Sequence, residues 1–218
     1  MSDEKKFMDN KEIEEVSPID LIKQYLNNTS EIKSLEDVSS AFDTIERVLF
    51  LADVTEEIAE AISHLIRMWN IIDKDKPVEE RTPIKLYIDS HGGDVSAGFL
   101  IIDSIKMSKT PVYTINMGIA YSMGLCVLAA GHKRFAYPHA SFLFHEGSTG
   151  MSGSIDAGKF KNFSSFYDKI LGQLKAYLIE NTNMTPELYK EKERDDFWFF
   201  TDEAIELGFV DEILEEFI

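Results

Sequence analysis

The sequence predicts an α/β fold with parallel strand pairing, and three observations carry that reading. Short apolar runs rich in β-forming residues recur along the chain, at Arg47 to Leu51, Ile84 to Asp89 and Val112 to Ile115. Stretches with apolar residues at helical spacing lie between them, at Glu56 to Asn70 and Val95 to Met107. Glycine and proline punctuate the joins, as in Ser90-His91-Gly92-Gly93 and at Pro138. Strands that alternate with helices stack as layers, because each crossover helix returns the chain to pair parallel.

Taken in order, residues 1–46 differ from the rest. They carry twelve acidic residues against five lysines, with few large apolar side chains, and form an acidic N-terminal extension. Met1 to Val16 is expected to be disordered for want of apolar surface to bury. Ser17-Pro18 opens a short helix through Asn27, and a second weak helix covers Leu35 to Phe42. The globular domain spans 47–218. Thr55 caps the helix over Glu56 to Asn70, whose face is Ile58, Ile62, Leu65, Ile66 and Trp69. After Val112 to Ile115, a small-residue helix runs over Leu125 to Ala130. Lys133 to Ala136 and Phe142 to Phe144 are two further strands. A long helix covers residues 155–180, with Phe160, Phe163, Phe166, Tyr167, Ile170, Leu174, Tyr177 and Leu178 as its apolar positions. Pro186 opens a helix to Arg194, Thr201 caps another that ends at Gly208, and Val210 to Leu214 is a last strand.

Composition excludes several classes. At 218 residues with 44% hydrophobic content, the chain can bury a sizeable core, and no stretch is apolar enough to span a bilayer. The net charge of −17 argues against a nucleic-acid backbone or an anionic membrane as partner. One cysteine, Cys126, rules out an internal disulfide and a cysteine-based metal cluster, and its apolar surroundings make it a core residue. The acidic N-terminus lacks the apolar core of a signal peptide, so a soluble cytoplasmic protein is expected. No metal or cofactor motif is present.

The chemistry concentrates around Gly118-Ile-Ala-Tyr-Ser-Met-Gly124. A serine between a strand and a helix, flanked by small residues, is how a fold presents a nucleophile. A helix N-cap has the same local signature, so Ser122 alone does not decide between the two. His145 follows the apolar strand and enters a glycine-containing loop, where it can reach into a cleft. His64, His132 and His139 read as structural or solvated. Asp195-Asp196 precede the aromatic run Phe197-Trp198-Phe199-Phe200, and a carboxylate there can orient an imidazole. A serine hydroxyl needs a base at neutral pH, a histidine supplies it, and a carboxylate fixes the tautomer. Backbone N–H groups at Gly92-Gly93 and at Met123 are available for an oxyanion.

With these residues in view, the chain resembles the proteolytic subunit of the Clp protease, the ClpP-type serine peptidases. The likeness runs from about Ile45 to Phe217. It rests on Glu46-Arg47-Val48-Leu49-Phe50-Leu51, on Leu86 to Gly93, on Ala97-Gly98 and on Gly118 to Gly124. It continues through Leu128 to Gly131, His145, Glu193-Arg194-Asp195-Asp196 and Glu203-Ala204. The resemblance implies a crotonase/ClpP-like fold of repeated β-β-α units, with residues 155–180 as a protruding handle helix. It implies Ser122 as nucleophile, His145 as base, Asp196 as the triad acid, and an oxyanion hole at the N–H groups of Gly93 and Met123. Aligning on Glu193-Arg194-Asp195 alone would choose Asp195.

The expected activity is an ATP-independent serine endopeptidase core that cuts peptides or unfolded proteins through an acyl-enzyme. The expected assembly is a homo-oligomer of stacked, heptameric rings, with a AAA+ unfoldase as a further partner left open. Departures mark a divergent member: His91 stands where the family has proline, Tyr121 replaces a small residue, Glu146-Gly147 replaces Gln-Pro, and the first 46 residues do not resemble the family's axial loops. Rival readings are a non-catalytic structural subunit, a prohead-maturation-type protease and a crotonase-type acyl-CoA enzyme. The order Ser, His, Asp disfavours an α/β-hydrolase.

Overall fold

The computed structural model describes residues 43–147 and 156–218. The chain divides into two units, Met1–Glu46 and Arg47–Ile218, and the second is the one described below. The helices expected before Phe42 and the loop before the long helix lie outside the described residues.

The second unit is a mixed α/β structure on a seven-stranded sheet. In chain order its elements are β1 (Val48–Leu51), α1 (Glu56–Ile72), β2 (Ile84–Ser90), α2 (Val95–Met107), β3 (Val112–Tyr121) and α3 (Met123–Leu128). They continue with β4 (Lys133–Ala136), β5 (Ser141–Phe144), α4 (Ala157–Asn181), α5 (Pro186–Lys192), β6 (Phe197–Phe200), α6 (Thr201–Glu206) and β7 (Glu212–Ile213). Strands β1, β2, β3, β4 and β7 pair in that order, all parallel. β5 also pairs parallel with β3, and β6 pairs antiparallel with β5.

Local chemistry explains the element ends. Thr55 Oγ1 accepts from the Ile58 N–H, Asp94 from the Ala97 N–H and Thr185 from the Leu188 N–H, each quenching a donor the helix cannot use itself. The helical spacing of Ile62, Ile66 and Trp69 buries one face of α1 against α2 and the sheet. α3 is buried at every position, so its small and apolar residues face protein all round. Cys126 lies there, and burial pushes its thiol up to about 12, as expected of an inert core residue.

The structure corrects several boundaries. β3 does not stop at Ile115 but runs to Tyr121, because its second half finds a new partner in β5. The first four pairs, Tyr113 to Asn116, lie against β4, and the last three, Ile119 to Tyr121, lie against β5. Asn116 sits at this fork, fully buried. Its amide donates to the Ser141 carbonyl at 3.1 Å and accepts from the Gly118 N–H at 3.1 Å, while its carbonyl accepts from Tyr137 N–H. The aromatic run at Phe197 is strand β6, which the apolar block alone did not suggest. Thr201 is the first helical residue of α6 and not its cap. Its hydroxyl bonds to the Tyr137 and Ala140 carbonyls. α3 begins two residues before the expected Leu125 and ends at Leu128.

At the entry to β1, Arg47 has a φ of 56° and a side chain clamped on the fully buried carboxylate of Asp73. Asp73 also accepts from the Thr110 hydroxyl and faces Lys76. The Arg47 guanidinium holds this carboxyl below the ordinary range.

Two predictions follow from these contacts. Asn116→Leu keeps the volume but removes the buried side-chain bonds to the Ser141 carbonyl and from the Gly118 N–H. A loss of about 2–4 kcal/mol is expected, read as a lower urea midpoint at unchanged slope. Asp73 has a depressed native pKa, so the stability it adds is present above the unfolded carboxyl value of about 3.9 and is lost as pH falls through the native one. Acid unfolding of the parent chain below about pH 4 should therefore be steeper than that of Asp73→Asn. The variant should start several kcal/mol less stable at pH 7, because removing one partner strands Arg47. Parallel pH–stability curves would contradict this.

Candidate active site

The site is assembled from three strand ends that the sheet holds side by side. β3 delivers Ser122, β5 delivers His145, and β6 is preceded by Asp196. The pairing of Tyr121 with Leu143 and of Leu143 with Trp198 fixes their relative heights. Continuing the antiparallel register one step beyond Phe144 and Phe197 sets His145 opposite Asp196. Side chains alternate along a strand, so Asp195 falls out of phase with that position.

Ser122 has φ 53° and ψ −121°, a conformation rare for any residue with a side chain and costing about 1–3 kcal/mol. It flanks α3 without capping it: its side chain accepts no helix N–H. The capping reading of this serine is thereby removed. Its own N–H donates to the Leu143 carbonyl at 2.9 Å, tying the turn to the strand that carries His145. Gly92, at φ 98°, closes over the turn. A Cβ there would lie 2.8 Å from the Tyr121 carbonyl and 2.9 Å from Ser122 Cβ, so only glycine fits.

His145 Nδ1 lies 3.8 Å from Asp196 Oδ1, at ion-pair range and longer than a hydrogen bond. Nδ1 thus faces the carboxylate and leaves Nε2 as the nitrogen free for a reacting group. The pair is open to solvent, with the His145 side chain 29% and the Asp196 side chain 60% exposed. Among the described residues no hydrogen bond joins Ser122 Oγ to His145, and Asp195 makes no ion pair. The next residue along, Glu146, donates its N–H to the Glu193 carbonyl at 2.8 Å, which fastens the His145 loop to the segment leading to Asp196.

Gly93 is exposed at φ 148°, with the Val54 carbonyl packed behind it, and Met123 opens α3. Among the described residues neither N–H donates to a protein acceptor. The Met123 side chain packs over Gly98 of α2, which seats the start of α3.

The two departures at His91 and Tyr121 are in contact. Their rings meet edge-on at 5.6 Å, and Tyr121 meets Trp198 edge-on at 5.0 Å. The Tyr121 hydroxyl is 2.8 Å from Ser141 Oγ. One aromatic row therefore borders the Gly92-Gly93 loop, the Ser122 turn and the strand after Asp196. Trp198 belongs to it through β6, where Phe199 faces in and Trp198 and Phe200 face out; the four consecutive aromatics carry no sequence signal for that alternation. His132 is structural as expected, accepting from the Val112 N–H. Among the described residues no group of side chains is set to hold a metal ion, and no helix is long and apolar enough to cross a membrane.

Comparison with known proteins identifies the family. The Clp protease family matches residues 30–217. The chain is 30% identical over 172 residues to ATP-dependent Clp protease proteolytic subunit 2 of Treponema pallidum, covering 78% of this chain and 82% of that protein. It is 31% identical to the ATP-dependent Clp protease proteolytic subunit of Streptococcus mutans, over 89% of this chain and 97% of the relative. It is 34% identical to proteolytic subunit 1 of Corynebacterium jeikeium, over 78% and 87%. With a match spanning most of the sheet and every strand end at the site, the chain belongs to the Clp protease family.

Proposed function

We propose that this chain is a serine endopeptidase that hydrolyses peptides or unfolded proteins with Ser122, His145 and Asp196. The observation that carries the reading is the convergence of three strand ends. A strained serine is tied to the strand of a histidine whose Nδ1 faces a carboxylate.

The geometry supports the following course. Ser122 Oγ attacks the scissile carbonyl carbon and passes its proton to His145 Nε2. The resulting oxyanion takes hydrogen bonds from the Gly93 and Met123 N–H groups. His145 gives the proton to the leaving amine, and the acyl group stays on Ser122. A water then attacks the ester, His145 takes its proton, and the acid leaves with Ser122 restored. Asp196 holds the imidazole with Nδ1–H inward throughout. The 3.8 Å spacing tightens to a hydrogen bond when substrate organises the site.

Assembly belongs to the same proposal. The relatives are named as subunits of an ATP-dependent protease, and for this chain we read a ring-forming homo-oligomer served by a separate ATP-driven unfoldase. The C-terminal half of α4 packs Leu174 and Leu178 into the core, while Phe160 and Phe166 near its other end are 54% and 60% exposed. Such aromatics on a protruding helix suit a subunit contact.

Two experiments test the reading. Small fluorogenic peptides need no unfoldase, and their turnover by the full chain should fall at least roughly 10³-fold in Ser122→Ala with native mass unchanged. A serine-reactive phosphonate should label Ser122 alone. Turnover that survives the substitution would overturn the assignment. For the acid, Asp196→Asn should lower kcat by roughly 10²–10⁴-fold with little change in KM, and Asp195→Asn should leave kcat near that of the parent. The reverse order would move the role to Asp195.

A further inference from the structure

We infer that the cleft between α1 and α2 is a binding site for a phosphoanion of about diphosphate size, separate from the Ser122 site. The cleft encloses about 400 Å³, within the range of small-ligand pockets. Arg67 and Lys74 line it from α1 and its C-terminal end, Arg81 from the segment before β2, and Lys109 from the turn after α2. Among the described residues no carboxylate lines it. Four cations in one cleft of a chain with net charge −17 is a local reversal of sign.

Arg81 supplies the second observation. The residue is only 8% exposed. Its Nε donates to the Lys76 carbonyl at 3.1 Å, and its Nη1 reaches Thr110 Oγ1 at 3.4 Å. Among the described residues it has no carboxylate partner. The nearby buried acid, Asp73, is already committed to Arg47, Thr110 and Lys76. A buried guanidinium without a counter-charge is costly, and its remaining N–H groups suit the paired oxygens of a phosphate. Asn70 makes the floor rigid: its amide donates to the Ile66 carbonyl and Ser108 Oγ and accepts from the N–H groups of Lys109 and Thr110. The cleft is thus set before a ligand arrives, which lowers the ordering cost of binding.

The test is calorimetric titration of the full chain with pyrophosphate at fixed ionic strength, with citrate as a polycarboxylate control. One saturable site per chain is expected, weakened roughly tenfold by Lys109→Ala and by Arg67→Ala, since each removes one charge-assisted contact. Both side chains are exposed, so neither change threatens the fold. Pyrophosphate should also raise the melting temperature of the parent chain and not of the Arg67→Ala, Lys109→Ala double variant. Absence of saturable heat, equal affinity in parent and double variant, or citrate binding as tightly as pyrophosphate would each overturn the assignment. Peptide turnover plays no part in the readout, so the result stands apart from the peptidase proposal.

Discussion

The forked pairing of β3 is the constraint on which the rest of the structure depends. A strand offers one hydrogen-bonding edge on each side, and β3 gives one of its edges to two partners in succession. Where the partners change, backbone groups of both would be left buried and unpaired. The Asn116 side chain fills that gap by bonding to Ser141 on the second partner and Gly118 on its own strand. Because the fork exists, β5 lies against the end of β3, and the residues just past the two strands come together. Ser122 and His145 are those residues. Without the fork, the strand carrying His145 would pair with β6 alone and would not lie beside the end of β3 that leads to Ser122.

Strain at Ser122 is held by its surroundings on every side. The turn is clamped by a hydrogen bond to Leu143, roofed by Gly92 and followed by a helix with no exposed residue. Burial of α3 is worth several kcal/mol at about 25 cal/mol per Å² of apolar surface, which outweighs a local cost of about 1–3 kcal/mol. The conformation lifts the serine side chain out of the helix-capping geometry and, among the described residues, leaves the Met123 N–H without a protein acceptor. The Ser90 hydroxyl contributes from below: fully buried, it accepts from the Gly92 N–H at 3.0 Å and fixes the loop that carries Gly93.

How much of this was legible in the sequence depended on whether the signal was local. Thr55 before Glu56, and Pro186 after Thr185, are chemical statements about one helix end, and those helices begin where the residues say. The strand Lys133–Ala136 and the helix Val95–Met107 were read to the residue for the same reason. The second half of β3 was not, because Asn116, Met117 and Gly118 interrupt the apolar pattern, and only a partner distant in sequence makes that stretch a strand. β6 was hidden differently. Four consecutive aromatics show no alternation of polarity, although Trp198 and Phe200 face out while Phe199 faces in. Of the site, the strand-to-helix serine and the strand-end histidine could be named from spacing. The preference for Asp196 over Asp195 came from the resemblance and not from spacing, because which of the two stands opposite His145 turns on the phase of a strand pairing.

The electrostatics of the site and of the fold work at opposite ends of the dielectric scale. Arg47 and Asp73 meet in a buried position, where a charge left without its partner is costly, so that pair guards the entry to β1. His145 and Asp196 meet in water, with the carboxylate mostly exposed, and attraction across 3.8 Å of well-screened space is weak. What an exposed carboxylate can still supply is direction: facing Nδ1, it favours the imidazole tautomer that carries its proton there. The sheet register already sets the two residues opposite one another, and the bond from Glu146 to Glu193 holds the loop in place. Orientation in this site is therefore built into the backbone, and the side-chain pair has only to choose a tautomer.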